Sequence, residues 1–125
     1  MNPGRWRRVV VKVGTSSLTD DAGHIEPDRV AAVASGALAL AGAGAGSGAK
    51  LVIVSSGAGA AGRERLGLRL PLTLPEKQAA AAVGQVLLMQ VWREAFAPVA
   101  VAQVLLSAGD VQERERYVNA KNALE

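Results

Sequence analysis

The chain has 125 residues, half of them apolar and 3% aromatic, with no cysteine and a formal charge of +3. That length and apolar content suit one domain with a real core and exclude a disordered polar chain. The missing cysteines exclude disulfides, thiolate metal sites and thiol nucleophiles, and the scarcity of aromatics argues against nucleic acid, which needs stacking surfaces.

Arg5, Arg7 and Arg8 have no long apolar run behind them, so no secretory signal is expected. No segment reaches the roughly 18 apolar residues of a membrane span. A cytoplasmic location is the expectation, and the cysteine-free composition is compatible with it. The arginine clusters at residues 5–8 and 63–69 read first as solvated surface and second as attraction for an anionic small ligand.

In chain order, RVVVKV at Arg8 to Val13 predicts a strand that turns at Gly14. Pro27 suits the first turn of a helix running through the alanines to about Ala41. Gly42 to Ala49 reads as a flexible connection, and KLVIVS at Lys50 to Ser55 as a second strand turning at Gly57. Both strands are nearly continuous apolar runs, as expected where both faces of a sheet are covered. A helix follows the second turn. Thr73 and Glu76 have capping-box spacing, which predicts a further helix from Leu74 to about Ala97, stopped by Pro98. Val99 to Leu105 predicts a third strand, and a helix runs from Asp110 to Glu125. Strands alternating with helices imply a parallel sheet in an α/β fold.

Two strand-to-helix turns could carry chemistry. In the first, Lys12-Val13-Gly14-Thr15-Ser16, a lysine sits within an apolar strand two residues before the turn. Its ammonium must escape or meet an anion, and its reach brings it to the carboxyl end of the sheet, where open parallel sheets bind ligands. A snorkelling edge-strand lysine is the plainer alternative. The second turn, Ser55 to Gly62, matches G-x-G-x-x-G after a strand. It follows the second strand, and no acidic strand residue lies about 20 positions on, which weakens a dinucleotide-binding reading. Gly44 to Lys50 fails as a Walker A loop, because Ala49 stands where a glycine is required and Leu51 where Ser or Thr should be. His24 stands alone and reads as a loop residue, so no metal site is expected. Glu113 to Arg116 reads as an exposed helical face.

VVVKVGTSSLT at Val9 to Thr19, VIVSSGAGAAGRERLG at Val52 to Gly67, KQAAAAVGQ at Lys77 to Gln85 and LLSAGDVQERERYVNAKN at Leu105 to Asn122 occur in one order along the chain. Together they resemble the amino-acid kinase family, most of all its glutamate-phosphorylating members. The resemblance implies an α/β/α layered fold on a mainly parallel sheet, and phosphoryl transfer from ATP, with Mg2+ on the nucleotide, to the side-chain carboxylate of L-glutamate. It implies that Lys12 is catalytic and faces ATP phosphate, that Gly14, Thr15 and Ser16 lend donors to the nucleotide, and that Ser56, Gly57 and Ala58 hold the glutamate. A homo-oligomer that binds neither membrane nor nucleic acid through this part is implied as well.

The family's downstream Asn-Glu-Asn-Asp segment is not in the sequence. The expectation is therefore the N-terminal part of a single kinase domain, inactive alone. Two other readings stay open: a family member with a different acceptor, and a non-catalytic binding or assembly module.

Overall fold

The computed structural model describes residues 7–43 and 49–125. The expectations for Arg5 and for residues 44–48 of the connection fall outside them. β1 (Arg8–Val13) and β2 (Lys50–Ser55) form a two-stranded parallel sheet, joined through α1 (Pro27–Ala43). The pairing is in direct register, from Arg8 opposite Lys50 to Val13 opposite Ser55. α2 (Ala58–Leu66), α3 (Leu74–Phe96), α4 (Ala108–Gln112) and α5 (Arg114–Leu124) follow. The α/β class and parallel sheet are as the sequence implies.

Side chains alternate across a strand, and here the alternation sorts the two faces. Val11, Val13, Leu51 and Ile53 pack against Val30, Val33 and Ala34 of α1 and against Leu88, Trp92 and Phe96 of α3. On the opposite face Val10 is 60% and Val54 51% exposed, and Lys12 is exposed beside them. The expectation that both faces are covered is thus corrected for the described residues. A uniformly β-branched run has no polar positions to mark which face meets solvent.

α3 is the main support of the core. Ala80, Gly84, Leu88, Trp92 and Phe96 are its buried residues, four apart and therefore on one helical face. The Trp92 and Phe96 rings stack with centroids 5.7 Å apart. The helix begins as its sequence predicts: Glu76 N–H donates to Thr73 Oγ1 (3.4 Å), and Thr73 N–H donates to Glu76 Oε2 (2.7 Å). That second bond, with the Thr73 hydroxyl, holds the Glu76 carboxyl below its ordinary range.

α2 lies against α3 at backbone distance. A Cβ on Gly62 would collide with the Ala80 carbonyl, and one on Gly84 with the Ala58 carbonyl. Gly62, the last glycine of the Ser55–Gly62 segment, thus serves helix–helix packing.

Two expectations fail in the last third. Val99 to Leu105 belongs to neither strand; Val101 packs on the core while Leu105 is 73% exposed. Strand propensity is realised only where a neighbouring edge supplies ladder hydrogen bonds. The terminal helix is broken at Glu113 (φ −86°, ψ 122°), which ends α4 and caps α5. Its exposed face, Arg114 to Arg116, is as expected.

Gly84→Ala is expected to lower stability by about 2 kcal/mol in chemical denaturation, through overpacking against backbone that cannot yield. Gly36→Ala, on the exposed face of α1 where a Cβ meets no atom within 4 Å, should instead stabilise by about 0.5–1 kcal/mol. Equal effects from the two would contradict the close α2–α3 contact. The open sheet face also predicts that residues 1–125 produced alone self-associate. Light scattering after size exclusion should show mass rising with concentration, reduced by Val10→Thr with Val54→Thr; a constant monomer mass for the unaltered chain would refute it.

Candidate active site

Because Val13 and Ser55 are paired, the turns after β1 and β2 leave the sheet side by side. The first opens with Gly14 in extended backbone (φ −80°, ψ 160°) and closes as a single 3₁₀ turn, Thr15–Ser17. Ser17 N–H donates to Gly14 O (3.1 Å) and Leu18 N–H to Thr15 O (2.9 Å). Below it the buried Thr19 hydroxyl donates to Thr15 O at 3.1 Å.

The second turn is stitched to the first. Ser56 N–H donates to Val13 O at 3.0 Å, and the Thr15 and Ser56 hydroxyls share a hydrogen bond of 2.6 Å. Gly57 then takes a φ of +113° and caps α2, a conformation that disfavours a side chain. A Cβ there would make only ordinary contacts with Ile25, Leu18 and Leu88, so the backbone angle is what favours glycine. No side chain caps α2, so its first N–H groups face outward as donors in the positive end of the helix dipole.

The structure therefore brings Thr15 into contact with Ser56, with Gly57 and Ala58 continuing directly from it. Gly14 sits beside them, half-buried, and Ser16 is exposed at the rim. Lys12, paired with Val54 in the register, is exposed two residues before the turn and enters none of the ion pairs among the described residues. Gly14 shows why this glycine is not a backbone requirement. Its φ suits any residue, and a Cβ would meet no atom of the chain within 4 Å.

Two supporting residues, Ser55 and Trp92, were not singled out from the sequence, and Arg63 was read there only as part of an arginine cluster. Ser55 donates from Oγ to Ser56 O (2.8 Å) and accepts from Trp92 Nε1 (3.0 Å). Arg63 Nη2 donates to Ala22 O at 3.0 Å, tying the loop after the first turn to α2. The available signal was Trp92 itself, since a buried indole N–H requires a partner. His24 is a loop residue as expected: its backbone N–H donates to Asp20 Oδ1 (2.8 Å), and that bond is the main cause holding the Asp20 carboxyl below its ordinary range. Among the described residues no three metal-ligating side chains cluster, and no helix is long and apolar enough to cross a membrane.

Comparison with known proteins gives the family of the chain. The model of the amino acid kinase family matches residues 7–125. The chain is similar to the glutamate 5-kinase of Myxococcus xanthus, 52% identical over 121 residues, which is 95% of this chain and 31% of that protein. It is 49% identical over 127 residues to a glutamate 5-kinase of Thermus thermophilus, covering 99% of this chain and 33% of the relative. To that of Corynebacterium jeikeium it is 44% identical over 121 residues, 95% and 31% of the two. The chain thus spans about a third of the length of these relatives. With its parallel sheet, its paired turns and a family match over nearly all of its length, the chain belongs to the amino acid kinase family.

Proposed function

We propose that the protein acts as a glutamate 5-kinase, transferring the γ-phosphoryl group of ATP to the side-chain carboxylate of L-glutamate. A carboxylate oxygen attacks the γ-phosphorus, the bond to the β,γ-bridging oxygen breaks, and ADP leaves with that electron pair. The product, L-glutamyl 5-phosphate, opens proline synthesis. Mg2+ enters with the nucleotide phosphates and neutralises charge there; no residue of this chain is assigned to it.

The chemistry asks for two things, since both reactants are anions: a cationic, donor-rich surface, and fixed positions for the reacting atoms. Lys12 supplies the charge that meets the developing negative charge on the transferring oxygens. The Gly14-Thr15-Ser16 turn lends donors to the nucleotide phosphates. Ser56 holds the glutamate, and the Gly57 and Ala58 N–H groups lie against the acceptor carboxylate or the moving phosphoryl group. The observation that carries this reading is the Thr15–Ser56 hydrogen bond, 2.6 Å long, at the carboxyl ends of adjacent parallel strands. Gly14 adds support: neither its backbone angle nor a packing neighbour requires glycine, whereas the close approach of a phosphate does. The names of the relatives supply the acceptor, glutamate.

Steady-state kinetics of the full-length protein, by coupled ADP release, test these roles. Lys12→Ala should mainly lower kcat, because its charge acts in the transition state. Ser56→Ala should mainly raise the KM for glutamate, because the serine also holds the ground state. Equal effects on both parameters from both variants would show the roles to be wrongly assigned. An unaltered protein without glutamate-dependent turnover would remove the reading altogether.

A further inference from the structure

Trp92 lies in the core, 3% exposed and stacked on Phe96, but its polar end serves the site. The indole N–H donates to Ser55 Oγ at 3.0 Å. The Ser55 hydroxyl, with that bond accepted, directs its own proton to Ser56 O at 2.8 Å. From the other side Ser56 N–H is held by Val13 O at 3.0 Å.

The peptide joining Ser56 to Gly57 is trans, since among the described residues the cis bonds lie at Leu70–Pro71 and Ala97–Pro98. In a trans peptide the N–H points opposite the carbonyl. Holding Ser56 O therefore also sets the direction of the Gly57 N–H. Gly57 itself is buried, with Leu18, Ile25 and Leu88 nearby.

We propose that Trp92 and Ser55 are positioning residues that orient the Ser56–Gly57 peptide, and with it the Gly57 N–H, toward the acceptor carboxylate. The inference rests on the kinase reading above and adds to it a relay from the core to the glutamate-binding turn. Ser55 is solvent-exposed, so its hydroxyl is not needed to fill the core. It satisfies the Trp92 N–H and orients a neighbouring carbonyl. A merely structural Trp92 would act on stability and on both substrates alike; a positioning Trp92 acts on glutamate through Ser55.

The test combines kinetics with hydrogen exchange in the full-length protein bearing Ser55→Ala, Ser55→Thr, Trp92→Phe, or Ser55→Ala with Trp92→Phe. Ser55→Ala and Trp92→Phe should each raise the KM for glutamate about fivefold, the worth of one hydrogen bond, and leave the KM for ATP unchanged. The double variant should be no worse than the singles, because both break one chain of bonds. Ser55→Thr keeps the hydroxyl and should retain the parent KM. Amide exchange in residues 56–61 should quicken in Ser55→Ala. Multiplying losses, or a Ser55→Ala variant with parental KM and parental exchange, would overturn the relay. If the unaltered protein shows no glutamate-dependent turnover, the kinase reading fails, and exchange at residues 56–61 alone then judges the relay. Faster exchange in Ser55→Ala upholds it and unchanged exchange overturns it.

Discussion

Parallel pairing of Arg8–Val13 with Lys50–Ser55 in direct register decides where every candidate site residue stands. A slip of one residue would turn Val11, Val13, Leu51 or Ile53 out of the core, and burial forbids it. The same burial therefore fixes Val13 opposite Ser55, and the two turns that follow must leave together. The Ser56–Val13 backbone bond and the shared Thr15–Ser56 hydrogen bond follow from that placement. Core packing and site geometry are one constraint seen from its two ends.

The helices extend this logic. Gly62 and Gly84 let α2 lie on α3 without a side chain between them, so the start of α2, with Gly57 and Ala58, is held against a long, capped and well-packed helix. Rigid elements hold donors more closely than loops can. Arg63 returns from α2 to the Ala22 carbonyl, and Trp92 reaches from α3 to Ser55. The loop after the first turn and the second turn are thus each braced by a side chain from a helix. Lys12 is different. It stands exposed with no ion-pair partner among the described residues.

Much of this was legible from local pattern. Both strands and α3 with its capping box fall where β-branched runs and the Thr73–Glu76 spacing put them, because those signals act over a few residues. The third strand was not realised, since Val99 to Leu105 has strand propensity but no paired edge among the described residues. Coverage of the sheet was misjudged for a related reason: Val10 and Val54 look as buried in sequence as Val11 and Ile53 do. The turn residues could be picked out by type, but their contact could not, as the separation of 41 residues from Thr15 to Ser56 is bridged only by the fold. The hydrogen bonds of Ser55 were hidden next to Ser56, to which the family resemblance drew attention.

The central claim is that the two turns act as one site, joined through Thr15 and Ser56. A double-mutant cycle on the KM for glutamate in the full-length protein, with Thr15→Val, Ser56→Ala and the pair, measures that directly. If the hydroxyls cooperate, each single variant loses their shared bond, and the double variant should fall short of the product of the singles by about fivefold. Losses that simply multiply, with no coupling between the positions, would contradict a joined site and leave two turns that are neighbours only in space.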